Sequence, residues 1–213
     1  MPNATAEQLR RFGIGCLYYM FPIENLPSIL TLGILSHNHV SALSHQSFSD
    51  WAVQRRRSSL IPFRGKSLHD YVPLYFGSHT PMQYHFTQST RRVIEQDDLI
   101  FIELDALKVF ELPDVIYTDG NAASSGTVAY LMPAYLRKLD WHLIYHVRRC
   151  YSKEYKRRKS AEVLVPNSVP TECFLRMVVF NESSRRRVMK LLDRIVNRDV
   201  IRIRCELDLS LYY

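Results

Sequence analysis

The apolar run Leu99-Ile100-Phe101-Ile102-Glu103-Leu104 is the clearest strand signal in the chain, and its surroundings limit the fold. Other strand-like runs are CLYYMF (16–21), AEVLV (161–165), LRMVVF (175–180) and VIRIR (200–204). LHDYVPLYFGSHTPM (68–82) alternates apolar and polar residues and is broken by Pro73 and Pro81, which predicts strands with turns. Helical signals fall irregularly between these runs. Residues 5–11 follow Thr5. Asn25 stands as an N-cap, with Pro27 in the first turn and Gly33 as the stop. Residues 47–57 end in Arg55-Arg56-Arg57, and a helical stretch runs on to about His146. Near the C-terminus Val188, Leu191, Leu192, Ile195 and Val196 share one helical face. Strands and helices mix without regular βαβ alternation, so the expected class is α+β. A length of 213 residues without repeats or low-complexity linkers is read as one domain, 1–213.

Charge narrows the partner. The 28 Lys and Arg exceed the 21 Asp and Glu, for a formal charge of +7, and 13 Tyr accompany them. A basic, tyrosine-rich domain suits an anionic partner, nucleic acid above all. Cys16, Cys150, Cys173 and Cys205 form no CxxC pair and have neither zinc-ligand spacing nor disulfide density, so reduced thiols and no metal are expected. No apolar run approaches the roughly 18 residues of a membrane span, and the N-terminal residues lack a signal-peptide pattern. A cytoplasmic protein is the expectation. P-loop, GxGxxG, HExxH and GxSxG motifs are absent, which excludes the common phosphate cradles and hydrolase elbows.

Four groups of residues carry chemistry. Glu162 opens an apolar strand directly after a basic run, where a carboxylate can steady a developing cation or hold a sugar hydroxyl. The plainer alternative is a solvent-facing Glu paired with Lys159 or Arg158. Within 55–57, adjacent helical positions point roughly 100° apart, so one or two arginines can face a site and clamp a diphosphate; a solvated face is the alternative. His69, Tyr71 and Tyr75 lie in HDYVPLYF, suited to stack on a base or nicotinamide ring or to fill a core. His69 and Asp70, as strand neighbours, point to opposite faces and make a poor catalytic dyad. Finally, residues 148–159 hold seven basic residues against one acidic, interleaved with Tyr151 and Tyr155, a pattern that suits tracking of a nucleic acid backbone.

The order of these segments resembles a known family. LYYMFPIENLPSILTLGIL, an Arg cluster, LHDYVPLYFGSHTPMQY, TDGNAAS and RRKSAEVLVP follow one another as in the DarT-type DNA ADP-ribosyltransferase toxins, over residues 16–205. The resemblance implies an ADP-ribosyltransferase-like fold of two packed, split antiparallel sheets around an NAD cleft. It implies transfer of ADP-ribose from NAD to a nucleobase of single-stranded DNA, with release of nicotinamide. Glu162 is then the catalytic glutamate and Arg56 or Arg57 the functional arginine. Tyr19, Asn25, Leu26, His69, Tyr71 and Tyr75 would line the NAD site. The 118–127 loop, with Asn121 and Ser124, would present the target base, and Arg148, Arg149, Lys156, Arg157 and Arg158 would hold the strand. A cognate antitoxin that removes ADP-ribose is the implied partner, in a toxin–antitoxin or phage-defence system. Where many members read Tyr-His-Ile-Thr-His, this chain has Tyr18-Tyr19-Met20-Phe21-Pro22, and Asn121 stands where some members carry His. Those departures leave guanine and thymine both open as targets. The alternatives are a transferase acting on RNA or protein, and a non-catalytic module that binds single-stranded nucleic acid.

Overall fold

The computed structural model describes residues 4–40, 57, 65–89, 93–194 and 203–213. Helix α1 (Ala4–Arg11) leads into strand β1 (Cys16–Pro22), then helix α2 (Leu26–Leu32), strand β2 (Ile34–Leu35) and the short helix α3 (His37–Val40). Strand β3 (Tyr71–Tyr75) precedes helix α4 (Pro81–Thr87), strand β4 (Leu99–Asp105), helix α5 (Ala106–Phe110), and strands β5 (Ile116–Thr118) and β6 (Ala129–Tyr130). Helices α6 (Trp141–His146) and α7 (Lys153–Lys159) come next, followed by strands β7 (Glu162–Pro166), β8 (Ser168–Val169) and β9 (Phe174–Val179). Helix α8 (Glu182–Leu192) and strand β10 (Arg204–Leu207) complete the order.

Eight strands form one sheet in the order β10-β9-β4-β1-β3-β7-β5-β6, antiparallel except for the β10–β9 edge, while β2 and β8 pair separately. The expected split lies inside this sheet. β1 matches β4 through seven residue pairs and β3 matches β7 through five, but β1 and β3 share only Tyr18 with Tyr75. Alternation along the strands sends every second side chain to one face. Leu17 and Phe21 of β1, Ile100, Ile102 and Leu104 of β4, Val72 and Leu74 of β3, and Val163 and Val165 of β7 join in one continuous core. The opposite face carries two separate clusters. Met20, Leu99, Phe101 and Val178 lie over one half, and Tyr71, Ile116 and Leu164 over the other. A cleft lies between them.

The strands expected at 16–21, 99–104, 161–165 and 175–180 match the structure within a residue or so. Others need correction. Pro81, read as turn punctuation, starts α4, because Thr80 accepts a hydrogen bond from the Gln83 N–H (3.1 Å) and caps it. The helical stretch to His146 is broken: a 3-10 helix spans Pro133–Lys138, Leu139 is extended, and Asp140 caps α6 afresh. The last strand runs over Arg204–Leu207 instead of 200–204, whose first three residues lie outside the described ones, as do Ile195 and Val196. Most of the expected 47–57 helix is likewise outside the described residues. Asn25 precedes α2 with helical backbone angles and makes no side-chain cap bond; a 3-10 turn over Ile23–Asn25 delivers the chain into the helix instead.

Gly33 ends α2 as expected, at a φ of 76°, and a Cβ there would run into the carbonyl oxygen of Val169. Gly33→Ala therefore combines left-handed strain with a clash against the β8 backbone. It is expected to lower stability by at least about 1–3 kcal/mol, read by urea denaturation.

Candidate active site

The cleft between the two half-sheets has a volume of about 570 Å³, within the usual range for a small-molecule site. Tyr19, Met20, Phe21 and Pro22 of β1 form one wall, and Tyr71, Pro73 and Tyr75 of β3 the other. Helix α4 contributes Met82, His85 and Phe86, and the 118–127 loop contributes Asn121 and Ser124.

Glu162 is 0% exposed, opposite Tyr75 in the β3–β7 register. Its position follows from the local sequence. Helix α7 stops at Ser160, and after Ala161 the strand VLV anchors in the main core. The first strand residue is thus delivered to the split end of the sheet. Arg57 Nη1 donates to Glu162 Oε2 at 3.1 Å and approaches Oε1 at 3.5 Å. The Ala122 N–H donates to Oε1 at 3.3 Å. Behind the carboxylate, the Glu162 N–H donates to Thr118 Oγ1 (3.1 Å), whose hydroxyl donates to the Gly120 carbonyl (2.6 Å). Breaking a buried pair leaves an uncompensated charge at a cost of about 3–5 kcal/mol, so these contacts fix the carboxylate firmly.

The solvent-facing alternative for Glu162 is ruled out. Lys159 is itself buried and donates to the carbonyls of Leu143 (3.1 Å) and Ile144 (3.0 Å) near the end of α6; burial lowers its ammonium pKa. Arg158 pairs with Asp140 at 3.0 Å. Of the arginine triplet, Arg57 reaches the site, and Arg56 and Arg55 lie outside the described residues. Arg57 is 6% exposed and lines the cleft, and its Nη2 is buried without a hydrogen-bond partner among the described residues. A buried guanidinium nitrogen in that state calls for an anionic or carbonyl oxygen.

Tyr19, Asn25, His69, Tyr71 and Tyr75 all line the cleft. Leu26 does not: it is 0% exposed and packs in the main core, because it occupies the buried stripe of α2 with Ile29 and Leu30. Burial pushes the Tyr19 phenol up to about 12. Burial, then the nearby Glu162 charge, also raises Tyr75, whose hydroxyl approaches Met82 Sδ at 3.8 Å. Both rings therefore act as neutral walls near pH 7. His69 packs its ring against His37 with centroids 4.2 Å apart. Asp70 accepts from Asn38 Nδ2 and from the Ser67 N–H, each at 2.7 Å, which disposes of a His69–Asp70 dyad.

The basic block divides by role. Lys153 and Lys156 stand exposed at the cleft mouth, with no ion pair among the described residues. Arg157 also lines the cleft, but its guanidinium is held on Asp119 (3.1 Å) and Glu154 (2.7 Å), protein carboxylates, where a strand-binding role was expected. Arg148 lines a second, smaller cavity with Tyr18 and His79, and Arg149 lies over the Tyr84 ring, 5.6 Å from its centroid; neither lines the main cleft. Sequence reasoning missed Thr118, the Ala122 N–H and Lys153. A backbone donor leaves no trace in residue type, and Thr118 is marked only by its place before the polar loop. Among the described residues no group of three or more His, Cys, Asp or Glu is placed to hold a metal ion, and no helix is long and apolar enough to cross a membrane.

A split sheet with a buried glutamate held behind an arginine that lines a basic, aromatic-walled cleft fits transfer from a dinucleotide, and relatives with this arrangement of chain are known. Residues 18–213 match the family model described as ssDNA thymidine ADP-ribosyltransferase, DarT. This chain belongs to that family. A DNA ADP-ribosyl transferase of Thermus sp. is 29% identical over 182 residues, covering 83% of this chain and 86% of its own length. A DNA ADP-ribosyl transferase–DNA ADP-ribosyl glycohydrolase fusion protein of Thermosipho africanus is 32% identical over 162 residues, 72% of this chain. The match spans only 39% of that fusion's length. Among solved structures, Thermus sp. 2.9 DarT in complex with ADP-ribosylated ssDNA superposes with a TM-score of 0.83 at 26% identity, over 94% of this chain and 97% of that one. The same protein in complex with NAD+ gives a TM-score of 0.75 at 25% identity, over 94% and 98%.

The Thr118 hydroxyl joins the floor of the site to the loop above it. Thr118→Val keeps the shape and orphans the buried Glu162 N–H. The expected loss is about 1–3 kcal/mol of stability in urea denaturation.

Proposed function

We propose that residues 1–213 form one transferase domain that moves ADP-ribose from NAD+ to thymine in single-stranded DNA and releases nicotinamide. The observation that carries this reading is Glu162. A fully buried carboxylate, braced by Arg57 and the Ala122 N–H, lies directly behind the Arg57 that lines a cleft whose mouth is basic. A module that only bound nucleic acid would gain nothing from a carboxylate there, since it repels phosphate. The residues also fit the dinucleotide. The unpartnered Arg57 Nη2 offers a donor to the diphosphate, and Tyr19, Tyr71 and Tyr75 give flat walls for the nicotinamide half.

NAD+ supplies a glycosidic bond that breaks with positive charge building on the ribose. Glu162 accepts a hydrogen bond from a ribose hydroxyl and lies beside that charge, held in place before the reaction begins. Arg57 neutralises the diphosphate and lends its field to loss of the ring N–H proton from the base to solvent water, as the base nitrogen bonds the anomeric carbon and nicotinamide leaves. The 118–127 loop presents the base, through Asn121 and Ser124. Thymine has one nitrogen left for attack, N3, because N1 carries its deoxyribose. N3 is imide-like and weakly nucleophilic, so alignment with the anomeric carbon is the larger contribution. In a duplex N3 is paired, so the substrate is single-stranded.

The family description favours thymine over guanine, and the DNA-modified complex of the Thermus relative favours DNA over RNA or protein. The partner is an activity that removes ADP-ribose from DNA, on a separate chain or fused, as the glycohydrolase half of the Thermosipho relative supports. The test is mass spectrometry of single-stranded oligonucleotides bearing one thymine, guanine, adenine or cytosine after incubation with NAD+, beside an RNA set and a protein extract. An ADP-ribose adduct on thymine-containing DNA is expected, with Glu162→Gln reducing the rate by about 10²-fold or more. No adduct on any DNA overturns the reading, and an adduct on guanine alone overturns the base assignment.

A further inference from the structure

Arg157 belongs to the basic block, yet four of its five guanidinium N–H groups are engaged by other residues of the protein. Nε and Nη2 hold Glu154 (2.9 and 2.7 Å), one helical turn back on α7. Nη1 holds Asp119 Oδ1 (3.1 Å) and Thr127 Oγ1 (3.2 Å), which lie near opposite ends of the 118–127 loop. Its backbone carbonyl accepts the Asn121 N–H at 2.8 Å. Gly120 is packed against the same residue so closely that a Cβ would sit 2.9 Å from the Arg157 carbonyl oxygen. Within the loop, Thr127 Oγ1 donates to the Asn121 carbonyl (2.8 Å), and Asp119 Oδ1 accepts the Val128 N–H (2.9 Å). One residue thus ties the loop to α7, its side chain holding Asp119 and Thr127 and its backbone carbonyl holding Asn121. Five residues after Arg157 the same segment delivers Glu162, which holds the Ala122 N–H at 3.3 Å.

We propose that Arg157 is a positioning residue for base transfer. It fixes the 118–127 loop, and through it Asn121, in register with Glu162, and it does not grip the DNA backbone. This rests on the transferase reading given above. A cation between two carboxylates is a poor phosphate ligand, whereas exposed Lys156 at the cleft mouth is free to act as one. A misplaced loop costs alignment of an already weak nucleophile, which is where small displacements slow a reaction most.

The test compares Arg157→Ala, Arg157→Lys, Asp119→Asn, Gly120→Ala and Lys156→Ala in ADP-ribosylation of a thymine-containing oligonucleotide, with KM measured across a salt series. For Arg157→Ala and Asp119→Asn, kcat is expected to fall by about 10-fold or more, while oligonucleotide KM and its salt slope stay near the parent's. Lysine cannot reproduce the forked contacts, so Arg157→Lys is expected to stay impaired. Lys156→Ala is expected to raise KM and reduce the salt slope by about one. The proposal is overturned if Arg157→Ala raises KM with a reduced salt slope, if Arg157→Lys restores activity, or if Asp119→Asn behaves as the parent. Should Arg157→Ala fail to fold by circular dichroism, Asp119→Asn and Gly120→Ala decide, since both disturb the clamp while keeping the arginine. A parent protein that makes no adduct would instead sink the transferase reading.

Discussion

Two strands at the centre of the sheet are joined in the ladder by one residue pair, Tyr18 with Tyr75, and the site depends on that shortened pairing. Full pairing of β1 with β3 would close the sheet and merge the two small clusters on its second face into one core. With one pair, the continuous core on the other face holds the half-sheets together while the second face stays open. The gap is walled by strands, whose side chains are fixed by register on both sides. That is a firm support for groups that must be aligned before reaction.

The same split explains how a carboxylate comes to lie fully buried in a basic protein. Glu162 is the first residue of a strand whose following residues are core, so it is carried inside by its neighbours. The ion pair with Arg57 and the N–H of Ala122 then offset the loss of water. Around it the basic block does several jobs. Arg157 ties down the loop, Lys159 holds the carbonyls near the end of α6, Arg158 meets Asp140, and Lys153 and Lys156 remain at the mouth. A net charge of +7 therefore overstates the charge available to DNA.

Much of this was legible in the residues. The strands with clean alternation or continuous apolar runs declared themselves, since their pattern is the buried pattern. Glu162 stood out because the sequence switches abruptly there from basic to apolar. Arg57 could not be separated from Arg56, because helical neighbours differ only in where tertiary contacts fall. Leu26 was misplaced because proximity to Asn25 in sequence says nothing about which stripe of α2 is buried. Arg157 looked like its neighbours in a charge run; only the fold brings Asp119 and Thr127 to it. The Ala122 N–H, being backbone, carried no sequence signal at all.

The cleft at the split is expected to seat the dinucleotide with its reacting ribose against Glu162. A crystal structure of this chain bound to a non-hydrolysable NAD+ analogue measures that directly. The diphosphate is expected on Arg57 and a nicotinamide-ribose hydroxyl within about 3.2 Å of the Glu162 carboxylate. A dinucleotide seated outside the β1–β3 cleft, or with that ribose turned away from Glu162, would contradict this placement.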